Sequence, residues 1–160
     1  MEKARKLTGN IIFWVIWPGL YIMLSRSHRV RVIINVGEKV LFVNNWLGDN
    51  KLSLPGGGIQ PKESPKQTAI REVYEETGIT LETKDLKSVT VNMPIRQNGI
   101  KYLVDCYCVS LPKTLETHSQ HIEIFQSVWL LWRNEVTTNH ISKATKQLLE
   151  TWLSTQHLVD

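Results

Sequence analysis

The sequence predicts an α+β domain of the broad α/β class, a mixed central sheet with helices packed on its faces. Three observations predict it. Two β-branched runs open the domain as a hairpin, a well-capped amphipathic helix follows a glycine-rich loop, and three further strand-like runs precede a closing helix. Strands and helices do not alternate regularly, which disfavours a doubly wound parallel domain.

The elements follow in order. "RVRVIINV" (29–36) and "KVLFV" (39–43) flank Gly37–Glu38, the pattern of a hairpin. "NNWLGDNKLSLPGGGIQPKE" (44–63) carries the Gly, Asn, Asp and Pro content of a loop with room for one short strand. Ser64 then fits a helix N-cap, Pro65 the first helical position, and Gln67 the reciprocal position of a capping box. Gly78 ends that helix, because glycine takes the left-handed cap without strain, so the helix spans about 65–77. "LKSVTVNM" (86–93), "KYLVDCYCVSL" (101–111) and "SVWLLW" (127–132) read as strands, the first two joined through "NGI" (98–100). A closing helix at about 141–154 places Ile141, Ala144, Leu148 and Trp152 on one stripe, with Leu149 and Leu153 beside it.

With 160 residues, 42% hydrophobic and 21% charged, the chain has ordinary globular composition and enough length to bury one core. Its net charge of +4 mildly favours anionic partners, but the basic residues form no tract, and no specific nucleic-acid partner is expected. Cys106 and Cys108 share one strand face and offer neither a disulfide framework nor a zinc set, so they read as small apolar residues in a reduced compartment. Residues 1–28 form a separate basic and apolar segment, read as helical, ahead of a domain at 29–160. Its apolar run 11–24 has 14 residues and is interrupted by Pro18–Gly19. That is short of the roughly 20 a spanning helix needs, and no small-residue cleavage site follows. It either packs on the domain or lies at a membrane surface.

The helix at 65–77 carries the chemistry. Glu72, Glu75 and Glu76 stand at i, i+3 and i+4, so three carboxylates share a patch, while Ala69, Ile70 and Val73 supply the apolar side. Arg71 sits four residues before Glu75 and can orient it. Three like charges destabilise a helix unless compensated, and Lys66 is the one lysine within it. A hard divalent cation is the natural compensator: Mg²⁺ takes carboxylate oxygens and is usually shared with substrate phosphates, with Mn²⁺ as a substitute. The preceding "LPGGGIQPKE" lets backbone approach a ligand closely.

These residues resemble the Nudix (MutT-like) hydrolase family, whose box is G-x5-E-x7-R-E-U-x-E-E-x-G-U with U a bulky apolar residue. Here the positions read Gly57, Glu63, Arg71, Glu72, Val73, Glu75, Glu76, Gly78 and Ile79. At about 5–7% background frequency per identity, the match would arise by chance on the order of once in a billion starting positions. The box covers residues 57–79, and the strand order around it is similar to the family's αβα sandwich.

The resemblance implies Mg²⁺-dependent hydrolysis of a diphosphate linkage in a nucleoside diphosphate derivative. It implies Glu72 and Glu76 as main metal ligands, Glu75 as ligand or general base, and Glu63 as support for the metal shell through water. Gly56 would lend a backbone carbonyl, Arg71 would orient a glutamate, and Gly57 and Gly58 would let the backbone approach the substrate. Family members often carry a glutamate six residues before a late-strand tryptophan. Glu123 precedes Trp129 by that spacing, which implies a further metal ligand or the base. Trp46 is the tryptophan best placed to meet a base. Leu52 stands where many members have tryptophan, and Pro94, fifteen residues past Ile79, matches a position seen in ADP-ribose hydrolases without the rest of their pattern. The substrate stays open among nucleoside triphosphates, ADP-ribose or nucleotide sugars, and dinucleoside polyphosphates. The expected location is cytoplasmic, with residues 11–24 as the membrane-peripheral alternative, and a homodimer is compatible. The competing reading is a non-catalytic nucleotide sensor, which would have no reason to keep every glutamate.

Overall fold

The computed structural model describes residues 27–45, 51–97, 99–118, 124–138 and 140–156. The segment 11–24, Trp46 and Glu123 therefore lie outside the described residues. The elements are β1 (His28–Val36), β2 (Lys39–Asn45), β3 (Leu52–Ser53), α1 (Pro65–Thr77), β4 (Lys87–Gln97), β5 (Ile100–Ser110), β6 (Ile124–Leu131), α2 (Trp132–Thr137) and α3 (Lys143–Gln156).

The sheet runs β3-β2-β1-β5-β4, with β6 also pairing β2. It is mixed: β1 and β5 are parallel, and the other pairs are antiparallel. Period-two patterning divides β1 between two cores. Val30, Val32 and Ile34 pack with Ala69 and Val73 of α1, whereas Ile33 packs with Leu148, Leu149 and Trp152 of α3. This is the expected sandwich of helices on both faces. Fully burying one such aliphatic side chain contributes about 1.5–3 kcal/mol.

One irregularity positions the site. β1 and β2 pair only beside their turn, through Asn35 with Val40 and Val36 with Lys39, and then diverge. β1 continues along β5, and β2 along β6. The glycine-rich loop fills the opening. Val32 N–H donates to the Pro55 carbonyl (2.9 Å), Val30 N–H to the Gly57 carbonyl (2.8 Å), and Ile59 N–H to the His28 carbonyl (3.0 Å). The loop is thus hydrogen-bonded into the sheet, which satisfies backbone groups that would otherwise be orphaned.

Two expectations are corrected. Trp132 does not end the last strand but starts the short helix α2. Ile141 precedes the closing helix, bridging to Leu52 in the sheet, yet it is still buried. Ser142 explains the later start: its Oγ accepts from Thr145 N–H at 3.1 Å, as an N-cap does. Pro94 is tolerated inside β4 because that strand lies at the sheet edge. Among the described residues, no helix is long and apolar enough to cross a membrane.

Candidate functional site

Helix α1 is held at both ends by its own sequence. Gln67 N–H donates to Ser64 Oγ (3.3 Å), and Ser64 N–H donates back to Gln67 Oε1 (2.8 Å). Gly78, at φ 73°, takes the left-handed cap and donates its N–H to the Tyr74 carbonyl. With Ala69 and Val73 buried against the sheet, the next helical face turns its acidic residues towards the glycine loop.

Arg71 organises that face. Its Nε donates to Glu63 Oε1 (2.7 Å) and its Nη2 to Glu63 Oε2 (3.0 Å), a fork-on-fork pair. Its Nη1 donates to Glu72 Oε1 (2.8 Å) and Glu75 Oε2 (2.9 Å). One guanidinium therefore gathers three carboxylates, where spacing alone pairs it only with Glu75. Glu63 Oε2 also accepts from Thr68 Oγ1 at 2.7 Å. The Arg71 guanidinium, followed by this hydroxyl, pulls the Glu63 carboxyl down to about 2, and Glu63 in turn raises Arg71.

Glu76 is the most buried acid of the helix, 7% exposed, and its Oε2 accepts the Gly56 N–H at 2.8 Å. The two glycines beside it are sterically required. Gly56 has φ 136°, and a side chain there would put Cβ 2.9 Å from the Val30 carbonyl carbon. A Cβ on Gly57 would stand 2.5 Å from the Glu72 carboxyl carbon, so the missing side chain is the space Glu72 occupies. Gly58 is exposed with open space around it, and its carbonyl lies 3.5 Å from Arg71 Nη2. The Gly56 carbonyl accepts a hydrogen bond from Arg31 Nη1, a partner that spacing did not reveal. Its signal was present in "HRVRV", where alternation puts Arg29 and Arg31 on one strand face.

The structure thus brings together Gly56, Gly57, Glu63, Arg71, Glu72, Glu75 and Glu76 from the loop and one helix. Among the described residues, no three acidic, histidine or cysteine side chains already stand arranged to hold a metal ion. The carboxylates are instead turned to Arg71 and Gly56. The donor set nevertheless suits a hard cation, being carboxylate oxygens on one patch with room made by Gly57.

A family model described as the NUDIX domain matches residues 26–150. The chain belongs to the NUDIX family. Nucleoside diphosphate-linked moiety X motif 6 of Mus musculus is 30% identical over 120 residues, which cover 74% of this chain and 36% of the relative. Diphosphoinositol polyphosphate phosphohydrolase 3-alpha of Mus musculus is 43% identical over 42 residues, 26% of each chain. The Nudix chain thus spans well under half the length of either relative. Among solved structures, a bifunctional NMN adenylyltransferase/ADP ribose pyrophosphatase of Francisella tularensis, complexed with AMP and a manganese ion, superposes with a TM-score of 0.73 at 17% identity. That match covers 97% of this chain and 50% of the other, and it is a likeness of fold.

Proposed function

We propose that this chain is a Mg²⁺-dependent Nudix pyrophosphohydrolase of the cytoplasm, cleaving the diphosphate linkage of a nucleoside diphosphate derivative to a nucleoside monophosphate and a phosphorylated remainder. The observation that carries the reading is the gathering of Glu63, Glu72 and Glu75 on Arg71, beside a buried Glu76 anchored to Gly56. A purely structural helix has no need to collect three acids on one side and draw in a fourth from the loop. The nucleoside diphosphate-linked motif protein and the manganese-bound ADP ribose pyrophosphatase support the same reaction class.

Glu72 and Glu76 would be the principal ligands of the cation, with Glu75 and the Gly56 carbonyl completing the set and Glu63 supporting it through water. When bound, Mg²⁺ or Mn²⁺ supplies neutralisation of the charge on the diphosphate oxygens. The chain's own groups do the rest. Arg71 holds the carboxylates in register while they await the cation. Gly57 and Gly58 keep side chains out of the substrate's path. Glu75, or Glu123 outside the described residues, takes the proton from the attacking water as the phosphorus–oxygen bond to the leaving phosphate breaks.

A panel of nucleoside triphosphates, ADP-ribose, nucleotide sugars and dinucleoside polyphosphates, assayed with Mg²⁺ and with Mn²⁺, tests the proposal. Turnover is expected with at least one, lost in Glu76→Gln. Of Glu75→Gln and Glu123→Gln, the variant of the base loses turnover while still binding nucleotide. No turnover across the panel with either metal, alongside retained nucleotide binding, transfers the chain to the sensor reading.

A further inference from the structure

Next to Gly56 lies a second charged group, of the other sign. Arg29 and Arg31 alternate along β1 and so share a strand face. Arg29 lies with its guanidinium carbon 5.1 Å above the Tyr102 ring, and that ring is buried, its hydroxyl donating to Gln97 Oε1 at 2.9 Å. Arg29 Nε donates to Ser27 Oγ at 3.3 Å, and Arg31 Nη1 donates to the Gly56 carbonyl. Among the described residues, neither arginine forms an ion pair with a carboxylate.

Two guanidinium groups on one face, half-buried and, among the described residues, without a paired carboxylate, are unfavourable in the free protein. Burial first, and the Arg31 charge second, lower Arg29 from its ordinary value, while the Glu72 carboxylate acts on it in the opposite sense. The backbone bridge between Arg29 and Gly58 sets Arg29 beside the glycine loop rather than on a remote surface. Among the described residues, the forks of Arg29 and Arg31 find only the Ser27 hydroxyl and the Gly56 carbonyl as acceptors, and planar guanidinium forks match phosphate oxygens in pairs. Gly56 ties the two charge groups together, its N–H bound to Glu76 and its carbonyl to Arg31. An anion lying across Gly56 would meet the acidic, cation-holding group with one end and the arginines with the other.

We propose that Arg29, laid over Tyr102, and Arg31, bonded to the Gly56 carbonyl, form the subsite for the second phosphoryl group of the diphosphate, the one not held at the carboxylate cluster. This rests on the pyrophosphohydrolase reading for the identity of the anion. Arg29 and Arg31 are then specificity-determining residues. They favour substrates that keep full charge on that second phosphoryl group, and a fork is needed there rather than a point charge.

The test measures binding apart from turnover. Imidodiphosphate, a diphosphate analogue with a nitrogen bridge, is titrated calorimetrically into the full chain with Mg²⁺. The comparison is with Arg29→Gln, Arg31→Gln, Arg29→Lys and Arg31→Lys, all checked by thermal melting. Losing a charge-assisted fork weakens binding by about tenfold to a hundredfold in the Gln variants, and lysine restores only part of it. With a substrate from the panel, the loss falls on KM more than on kcat. If the folded Gln variants bind imidodiphosphate as tightly as the unaltered chain, or if that chain does not bind it at all, the subsite is refuted. A fall in kcat with KM and binding unchanged also refutes it, and assigns Arg31 to holding the loop. Should Arg31→Gln fail to fold, Arg29→Gln decides, since Arg29 holds no backbone of the loop. Arginine-dependent binding without turnover of any substrate overturns the hydrolase reading and leaves the anion subsite standing.

Discussion

Replacing Arg71 by Gln removes the one cation that four hydrogen bonds tie to Glu63, Glu72 and Glu75, at 2.7 to 3.0 Å. Removing one partner of a fully buried pair costs about 3–5 kcal/mol, because the remaining charge is left uncompensated. Here the Arg71 side chain is 22% exposed, as is Glu63, so solvent recovers part of that loss, and about 2–4 kcal/mol is expected. For a chain of this size, that lowers Tm by about 4–16 °C. The assay is thermal unfolding followed by circular dichroism, in EDTA and then in millimolar Mg²⁺. The deficit is greatest in EDTA, where no divalent cation offsets the three carboxylates. Mg²⁺ raises the Tm of the variant more than that of the unaltered chain, since a bound cation stabilises the folded state and now also cancels unshielded repulsion. A variant that melts in EDTA within about 1 °C of the unaltered chain refutes the role of Arg71 as internal counter-ion.

Other consequences are equally direct. Glu63 has its carboxyl lowered from 4.5 to about 2 in the folded state, so its stabilising contribution is complete above pH 4.5 and is lost as the pH falls through about 2. Carbon-detected NMR titration should find its midpoint near 2, and Glu63→Gln should flatten the acid side of the stability profile between those values. Gly57→Ala puts a methyl where the Glu72 carboxylate sits. Displacing that group by about an ångström should cost on the order of a hundredfold in kcat/KM while the circular dichroism spectrum is unchanged. Cys106 is buried and its thiol is pushed up by desolvation, so it should resist alkylation at neutral pH in the folded chain and react on denaturation.

The features legible in the sequence were those written within a few residues of one another. Ser64, Pro65, Gln67 and Gly78 mark the ends of α1, and each does what its chemistry requires at that place. The convergence of Glu72, Glu75 and Glu76 follows from helical spacing alone. What escaped was set by distant strands. That Arg71 reaches Glu63 and Glu72 as well as Glu75 depends on how the loop at 58–63 folds back over the helix. The partnership of Gly56 with both Glu76 and Arg31 depends on the divergence of β1 from β2, which hairpin patterning does not encode. Trp132 looked like a strand residue because apolar character continues past Leu131, and no local signal separates a strand end from a short helix that begins at once.

The seating of residues 55–59 between β1 and β2 has a consequence for how the site keeps time. Catalytic loops commonly open and close faster than the fold beneath them, so their amides exchange with solvent early. Here the Val30 and Val32 amides bind the loop's carbonyls and the Ile59 amide binds a strand carbonyl, so releasing the loop means opening the sheet. Those amides should exchange at the pace of the core, and Gly56 and Gly57 should hold the same position whether or not substrate has arrived. Adjustment to a particular substrate then falls to other segments, while the apparatus around Glu76 endures as long as the fold does.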